Sequence, residues 1–373
     1  MWAVAGLFGL GTTAVTVVAL HQATTKKKTT WPSGPQGPQG PGGSGGSGGS
    51  GGWGGPPGPT TIAGLDPSTF QAQGNTHYYQ IPSNAKGLVI FFPGCARSAR
   101  GFWPKSPSHP ECAGMPEDVS HTKQALAKGY GVLALVAQTQ SGQYKDCWRI
   151  GVDIKWVPSV ITSFLQQHGL KGKPVYIVGA SSGGGFVQYL PKLIPGIVSG
   201  VISEVEAHAT IPLKNPPTIF VVMQNDPKGI ADASGHVATY RARGIPADYV
   251  VSAQRTVGPT FFSDLIVNVT PQQSQAAVTS LKSTGTIDGN GKFVRNPKDT
   301  RGRWMPPLHK IMTFEDAFET NSVLQAMLFA YADHEHVANY TTAALTWFEG
   351  GCKADFKSLA ASLEVDKPAS FAV

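Results

Sequence analysis

Val175-Tyr176-Ile177-Val178-Gly179-Ala180-Ser181-Ser182-Gly183-Gly184-Gly185-Phe186 runs from a short apolar stretch into a turn crowded with glycine. Gly179-Ala180-Ser181-Ser182-Gly183 has Gly-x-Ser-x-Gly spacing, and what surrounds it reads as a strand before and a helix after. In that context a sharp turn lifts the central side chain to the C-terminal edge of a sheet. Glycines are needed there because strand and helix approach too closely for side chains. The central residue is Ser181, and Ser182 would lend its backbone N–H to an oxyanion hole. A dinucleotide loop needs Gly-x-Gly-x-x-Gly and a triphosphate loop needs Gly-Lys-Ser/Thr, and neither is present. Taken alone, the stretch also suits a plain flexible turn.

Working outward, apolar runs recur at 87–92, 131–136, 197–205, 218–223 and 249–251. They do not alternate with polar residues, which predicts strands covered on both faces and hence a parallel sheet with crossover helices. A helix is expected near 118–129. Residues 61–373 thus read as one α/β domain with a mostly parallel central sheet flanked by helices. Between about 255 and 312 the rhythm breaks into Gly, Pro, Asn and Thr, with a tight hairpin turn predicted at 284–291. An insertion of that length predicts a lid or binding loop. Thr313 is the expected N-cap of the next helix, with Phe314, Phe318, Leu324, Leu328 and Tyr331 as its apolar stripe, and a further helix is expected over 340–348.

The beginning of the chain has a different composition. Trp2 through Leu20 carry no charged side chain, so residues 1–25 are expected to be a signal anchor or a signal peptide. Residues 26–60 follow as a Gly/Pro/Ser-rich flexible linker whose three collagen-like triplets are too few for a triple helix. Lys26, Lys27 and Lys28 are the only Lys, Arg, Asp or Glu of the first 60 residues, so the formal charge of +7 falls to about +4 in the rest. That excess is too small and scattered for nucleic acid. Membrane association through residues 2–20 is expected, or secretion. The lysines argue for a cytoplasmic head, whereas the sequons Asn268-Val269-Thr270 and Asn339-Tyr340-Thr341 argue for the other side. The expectation leans extracytoplasmic.

The four cysteines, at 95, 112, 147 and 352, lack zinc-site spacing, so no metal is expected. If the head is secreted, Cys112 with Cys147 is the favoured pair. Four reduced thiols are the alternative, with Cys95 buried and inert.

A serine hydroxyl needs a base and an orienting carboxylate. Asp226 follows the run 218–223, where an acid would emerge from a strand end; Glu204 and Glu206 are rival acids after the preceding strand. The base should lie late in the chain, and Asp333-His334-Glu335-His336 offers His334 or His336. The loop after the run at 87–92, Pro93-Gly94-Cys95-Ala96, offers the Cys95 backbone N–H as the other oxyanion donor. Phe102, Trp103, Phe261 and Phe262 either line an apolar substrate pocket or pack in the core.

With these residues in hand, the head resembles the α/β-hydrolase superfamily, and more closely a poorly characterised plant and algal branch of it. The resemblance rests on residues 92–103, on Pro110-Glu111-Cys112 with Gly114-Met115-Pro116-Glu117, and on Cys147-Trp148 and the serine turn. Met223-Gln224-Asn225-Asp226, Pro259-Thr260-Phe261-Phe262-Ser263 and His334-Glu335 complete it. It implies a Ser181–Asp226–His334 triad and favours His334 over His336, because His-Glu follows the helix in that branch. It departs at Pro93, where such loops usually carry histidine. The expected activity is hydrolysis of a small-molecule or lipid-like carboxylic ester through an acyl-enzyme, with no cofactor. Amide or thioester cleavage by the same triad, or a non-catalytic ligand-binding scaffold, are the alternatives.

Overall fold

The computed structural model describes residues 64–138, 146–206 and 214–371. The expected anchor at 1–25 and linker at 26–60 lie outside them. Among the described residues no helix is long and apolar enough to cross a membrane.

Eight strands form one sheet: β1 (Ser68–Ala72), β2 (Asn75–Gln80), β3 (Leu88–Phe92), β4 (Gly131–Ala134), β5 (Val175–Ala180), β6 (Val198–Glu204), β7 (Thr218–Met223) and β8 (Ala247–Ser252). Their spatial order is 1-2-4-3-5-6-7-8. β2 runs antiparallel to β1 and β4, while β3 to β8 pair in parallel. The β1–β2 hairpin is absent from the reading of the apolar runs because its strands are polar and only partly buried. Its local signal is the two-residue turn Gln73-Gly74, where both residues take positive φ, as the twist of a tight hairpin requires.

The helices are α1 (Pro116–Ala127), α2 (Ile150–Asp153), α3 (Val157–Gln167), α4 (Ser182–Tyr189), α5 (Pro227–Ala242), α6 (Phe261–Leu265), α7 (Pro271–Ser283), α8 (Arg301–Leu308), α9 (Ser322–Tyr331), α10 (Thr341–Glu349) and α11 (Phe356–Ser362). Side chains alternate across each strand, so β3 divides its residues between two cores. Val89 and Phe91 join the core shared with α1, α9 and α10. Leu88, Ile90 and Phe92 join the core shared with α3 and α4. Every residue of β3, β4, β5 and β7 is buried, which is why those runs carry no polar alternation.

Residues 255–312 contain three helices joined by loops. α6, α7 and α8 pack on one another, and Phe262, Leu281, Trp304 and Leu308 belong to the same core as α1 and α9. The turn expected at 284–291 is a hairpin closed by a bridge between Ile287 and Phe293. The helix expected from Thr313 starts later. Asn321 is its N-cap, accepting the Leu324 N–H at 2.7 Å. Phe314 and Phe318 hold helical spacing with Leu324 and Leu328 in the sequence, but Phe314 stacks on His309 and Phe318 packs under Arg97, which holds 313–320 as a loop. Of the two sequons, Asn339 is buried and Asn268 is exposed.

His77 fastens β2 to the end of β4. Its Nδ1 accepts the Val136 N–H at 3.0 Å and its Nε2 donates to the Ala72 carbonyl at 3.1 Å, so the ring is neutral. Burial lowers its pKa from 6.5 to about 4, against the pull of the Ala72 carbonyl. The unfolded chain therefore binds one more proton between those values, and stability falls as pH drops through that window. The expected loss is up to about 1.4 kcal/mol per pH unit from this group. Urea unfolding at pH 7, 6 and 5 should show a slope about one proton shallower for His77→Gln than for the wild type.

Candidate active site

β5 leads into α4 through Ser181, whose φ of 53° and ψ of −119° lie outside every region favoured by a residue with a side chain. Such a conformation costs about 1–3 kcal/mol and persists only where its surroundings impose it. Here the constraint is steric. A Cβ on Gly183 would stand 1.9 Å from the Phe92 carbonyl oxygen of β3, and one on Gly179 would stand 2.3 Å from the Gly183 oxygen. Strand, helix and neighbouring strand thus touch backbone to backbone. The Ser181 N–H is satisfied sideways by the Glu204 carbonyl of β6 at 3.0 Å.

α9 ends at Ala332 in a left-handed conformation and releases the turn that carries both candidate histidines. His334 Nε2 lies 2.7 Å from Ser181 Oγ on the exposed side of that turn. His336, two residues on, faces inward. Its Nδ1 lies 2.5 Å from Asp118 Oδ1 and its Nε2 accepts the Gly94 N–H at 3.3 Å. Burial opposes a charge on that ring, but Asp118, with Glu335 and Glu204 beyond it, pulls its pKa up to about 9. The two histidines are therefore sorted by burial, which the sequence does not reveal.

Asp226 is the N-cap of α5, where its Oδ1 accepts the Gly229 N–H at 2.8 Å. Asn225 beside it donates from its backbone to the Ala332 carbonyl and from its side chain to the Tyr331 carbonyl. These bonds fasten the turn of Asp226 to the turn of His334. Among the described residues, however, Asp226 makes no hydrogen bond to His334. Glu204 is committed elsewhere. Its Oε2 accepts the Val337 N–H and its Oε1 lies 3.2 Å from His121 Nε2, so it braces the sheet edge against α1 from below. Glu206 lies against α4, near Gly184 and Gly185.

The remaining polar groups support the cavity floor. Arg97 and Glu335 form a buried ion pair; Arg97 also donates to the Phe318 carbonyl at 2.8 Å and stacks on the Phe318 ring. Burial raises the Glu117 pKa to about 8, although its Oε2 accepts the Ala338 N–H. The cavity over Ser181 holds about 350 Å³. Val205, Phe318 and Leu328 give it an apolar side; Asn296, Lys298, Asp333 and His334 give it a polar one. Asn296 and Lys298 come from the 255–312 insertion and were not singled out from the sequence, which offers no periodic signal for them.

Cys95 and Cys147 form a disulfide, in place of the expected Cys112–Cys147 pair and of an inert Cys95 thiol. β3 and β4 are parallel neighbours, so the loop after β3 lies beside the chain that follows β4 and enters α2. There Trp148 donates from Nε1 to the Pro93 carbonyl at 2.9 Å and from its backbone to Ser182 Oγ at 3.2 Å. Cys112 is buried without a partner cysteine; burial, then neighbouring Glu111, pushes its thiol up to about 12. The Cys95 N–H makes no hydrogen bond among the described residues. Ser182 is the first residue of α4, where a backbone N–H has no intrahelical acceptor.

The four aromatic residues proposed for a substrate pocket do not line this cavity. Phe102, Trp103 and Phe262 are at most 1% exposed and belong to the core. Phe261 faces a different cavity, near Arg255 and Asp366. Aromatic pairs at strand and loop ends look the same in a sequence whether they fill a core or a pocket. Among the described residues no cluster of His, Cys, Asp and Glu is arranged to hold a metal ion.

The strand order, the antiparallel β2 and the serine on the strained β5–α4 turn together make this an α/β-hydrolase fold. No family model and no curated protein matches the chain. Solved structures similar to it include an α/β-hydrolase enzyme from a Medee basin deep-sea metagenome library, at 15% identity over 54% of this chain and 86% of that one, with a TM-score of 0.38. A hormone-sensitive lipase from a metagenome library is similar at 12% identity over 52% and 76%, with a TM-score of 0.37. A protein described as a predicted CIB-like hydrolase from Thermoplasma acidophilum is similar at 19% identity over 51% and 86%, with a TM-score of 0.35.

Peptide mapping without reductant should find Cys95 linked to Cys147, with Cys112 and Cys352 as free thiols. The bond closes a loop of 52 residues. Cys147→Ser is expected to lower the free energy of unfolding by about 2–4 kcal/mol, read from denaturant midpoints.

Proposed function

We propose that the protein is a serine hydrolase that cleaves small carboxylic esters through an acyl-enzyme. The observation that carries this reading is the 2.7 Å contact between His334 Nε2 and Ser181 Oγ on a strained strand-to-helix turn. A serine hydroxyl is activated when a neighbouring imidazole can take its proton.

In the proposed mechanism Ser181 Oγ attacks the ester carbonyl while His334 Nε2 takes the hydroxyl proton. Charge developing on the carbonyl oxygen is met by the backbone N–H groups of Cys95 and Ser182. His334 then returns the proton to the departing alkoxide and the alcohol leaves. Water, deprotonated by His334, releases the acid and restores Ser181. Asp226 is the proposed orienting acid for His334 Nδ1. The fastening of the two turns by Asn225 supports this, and catalytic hydrogen bonds commonly tighten on substrate binding.

The cavity volume favours short acyl groups over long chains. Amides and thioesters use the same steps and are secondary candidates. Membrane attachment through residues 2–20, with the head leaning to the extracytoplasmic side, is proposed on the sequence alone.

A fluorophosphonate probe should label the wild type and Ser182→Ala but not Ser181→Ala. Ser181→Ala is expected to lower kcat on a nitrophenyl butyrate by about 10⁶-fold and Asp226→Asn by about 10⁴-fold. A wild type that resists the probe would point to a non-catalytic binding protein. Equal turnover of nitrophenyl butyrate and palmitate would contradict the short-chain preference.

A further inference from the structure

The loop that presents the Cys95 N–H begins with Pro93, which has neither an N–H nor a polar side chain with which to fix its own loop. The fixing group comes from across the site. His336 Nε2 accepts the N–H of Gly94, and its Nδ1 is held by Asp118 Oδ1. Both side chains are buried, and Asp118 lies in the first turn of α1. Gly101 makes room for that carboxylate, since a Cβ there would stand 2.2 Å from Asp118 Oδ2. Gly94 in turn lies against the reacting residue: a Cβ on it would stand 3.3 Å from Ser181 Cβ and 3.7 Å from His336 Nε2.

We propose that His336, held by Asp118, is the positioning residue of the oxyanion loop and sets the Gly94–Cys95 peptide so that the Cys95 N–H meets the developing oxyanion. This rests on the serine-hydrolase reading above. It also gives His336 a role distinct from that of a base, because both its nitrogens are committed while His334 alone bonds Ser181 Oγ.

The Gly94 bond requires an unprotonated Nε2. The charged and titratable groups around the ring are Asp118 and His121 on α1, Glu204 on β6, His334 and Glu335 on its own turn, and Arg97, which is paired with Glu335. Against burial, Asp118, Glu335 and Glu204 favour the protonated ring and bring its pKa to about 9. Protonation sets an N–H against the Gly94 N–H and loosens the loop. The anchor is thus lost as pH falls through that value and complete above it.

The test compares full-length wild type with His336→Gln, which keeps an acceptor, and His336→Leu, which does not, after thermal unfolding has shown each to be folded. Each is assayed from pH 6 to 10 on a short nitrophenyl ester and on its thiono analogue, whose sulfur is a poor acceptor for backbone N–H groups. Above about pH 9, where the wild-type anchor is complete, His336→Leu should lower kcat by about 10- to 100-fold with KM within about threefold, and should lower the oxygen-to-thiono rate ratio by about tenfold; the differences should shrink as pH falls below that value. His336→Gln should stay within about tenfold of wild type and lose the rise in kcat near pH 9. A folded His336→Leu with the wild-type ratio overturns the proposal and leaves the hydrolase reading intact. If His336→Leu does not fold, a His336→Gln profile identical to wild type above pH 8 overturns it. A wild type inert toward both esters overturns both.

Discussion

The close approach of three backbone segments at Gly179, Gly183 and Phe92 governs the rest of the site. With no room for a Cβ between β3 and the start of α4, the chain has one way to pass from β5 into the helix. That path forces Ser181 into its unfavourable backbone conformation. The strain is imposed by the whole sheet, because β3, β5 and β6 are hydrogen-bonded neighbours whose residues are mostly buried. The serine is therefore a consequence of sheet packing as much as of its own chemistry, and its hydroxyl is delivered to the sheet edge with little freedom to relax.

Around that fixed point the site is assembled from loops that are separately tied down. The loop after β3 is held by the Cys95–Cys147 disulfide, by Trp148 on the Pro93 carbonyl, and by His336 on Gly94. The turn after α9 is held by Asn225 on one side and by Glu204 and Glu117 on the other. Arg97 and Glu335 form a buried pair between the two, and such pairs favour one arrangement because removing either partner strands a charge. Carboxylates and histidines below the sheet edge thus do architectural work. One histidine remains exposed at the serine.

Much of this was legible in the sequence, because the decisive signals are local. Glycine spacing at 179–183 reports a steric fact, and unbroken apolar runs report strands covered on both faces. What stayed hidden depends on which distant surfaces meet. His334 and His336 share one turn, and only the placement of α1 decides that the second is buried against Asp118. Cys112 and Cys147 both read as loop cysteines, but sheet order brings Cys95 to Cys147. Phe314 and Phe318 fit a helical stripe in spacing, yet stacking on His309 and on Arg97 holds their segment out of the helix. Phe102, Trp103, Phe261 and Phe262 carried no signal separating a pocket from a core.

The central claim is that Ser181 attacks and that the N–H groups of Cys95 and Ser182 receive the oxyanion. A crystal structure of the phosphonylated protein tests it most directly. The account predicts phosphorus bonded to Ser181 Oγ, with one phosphoryl oxygen within hydrogen-bond distance of both backbone nitrogens and His334 beside the leaving-group position. An adduct on another residue, or a phosphoryl oxygen turned to solvent with both N–H groups unengaged, would contradict it.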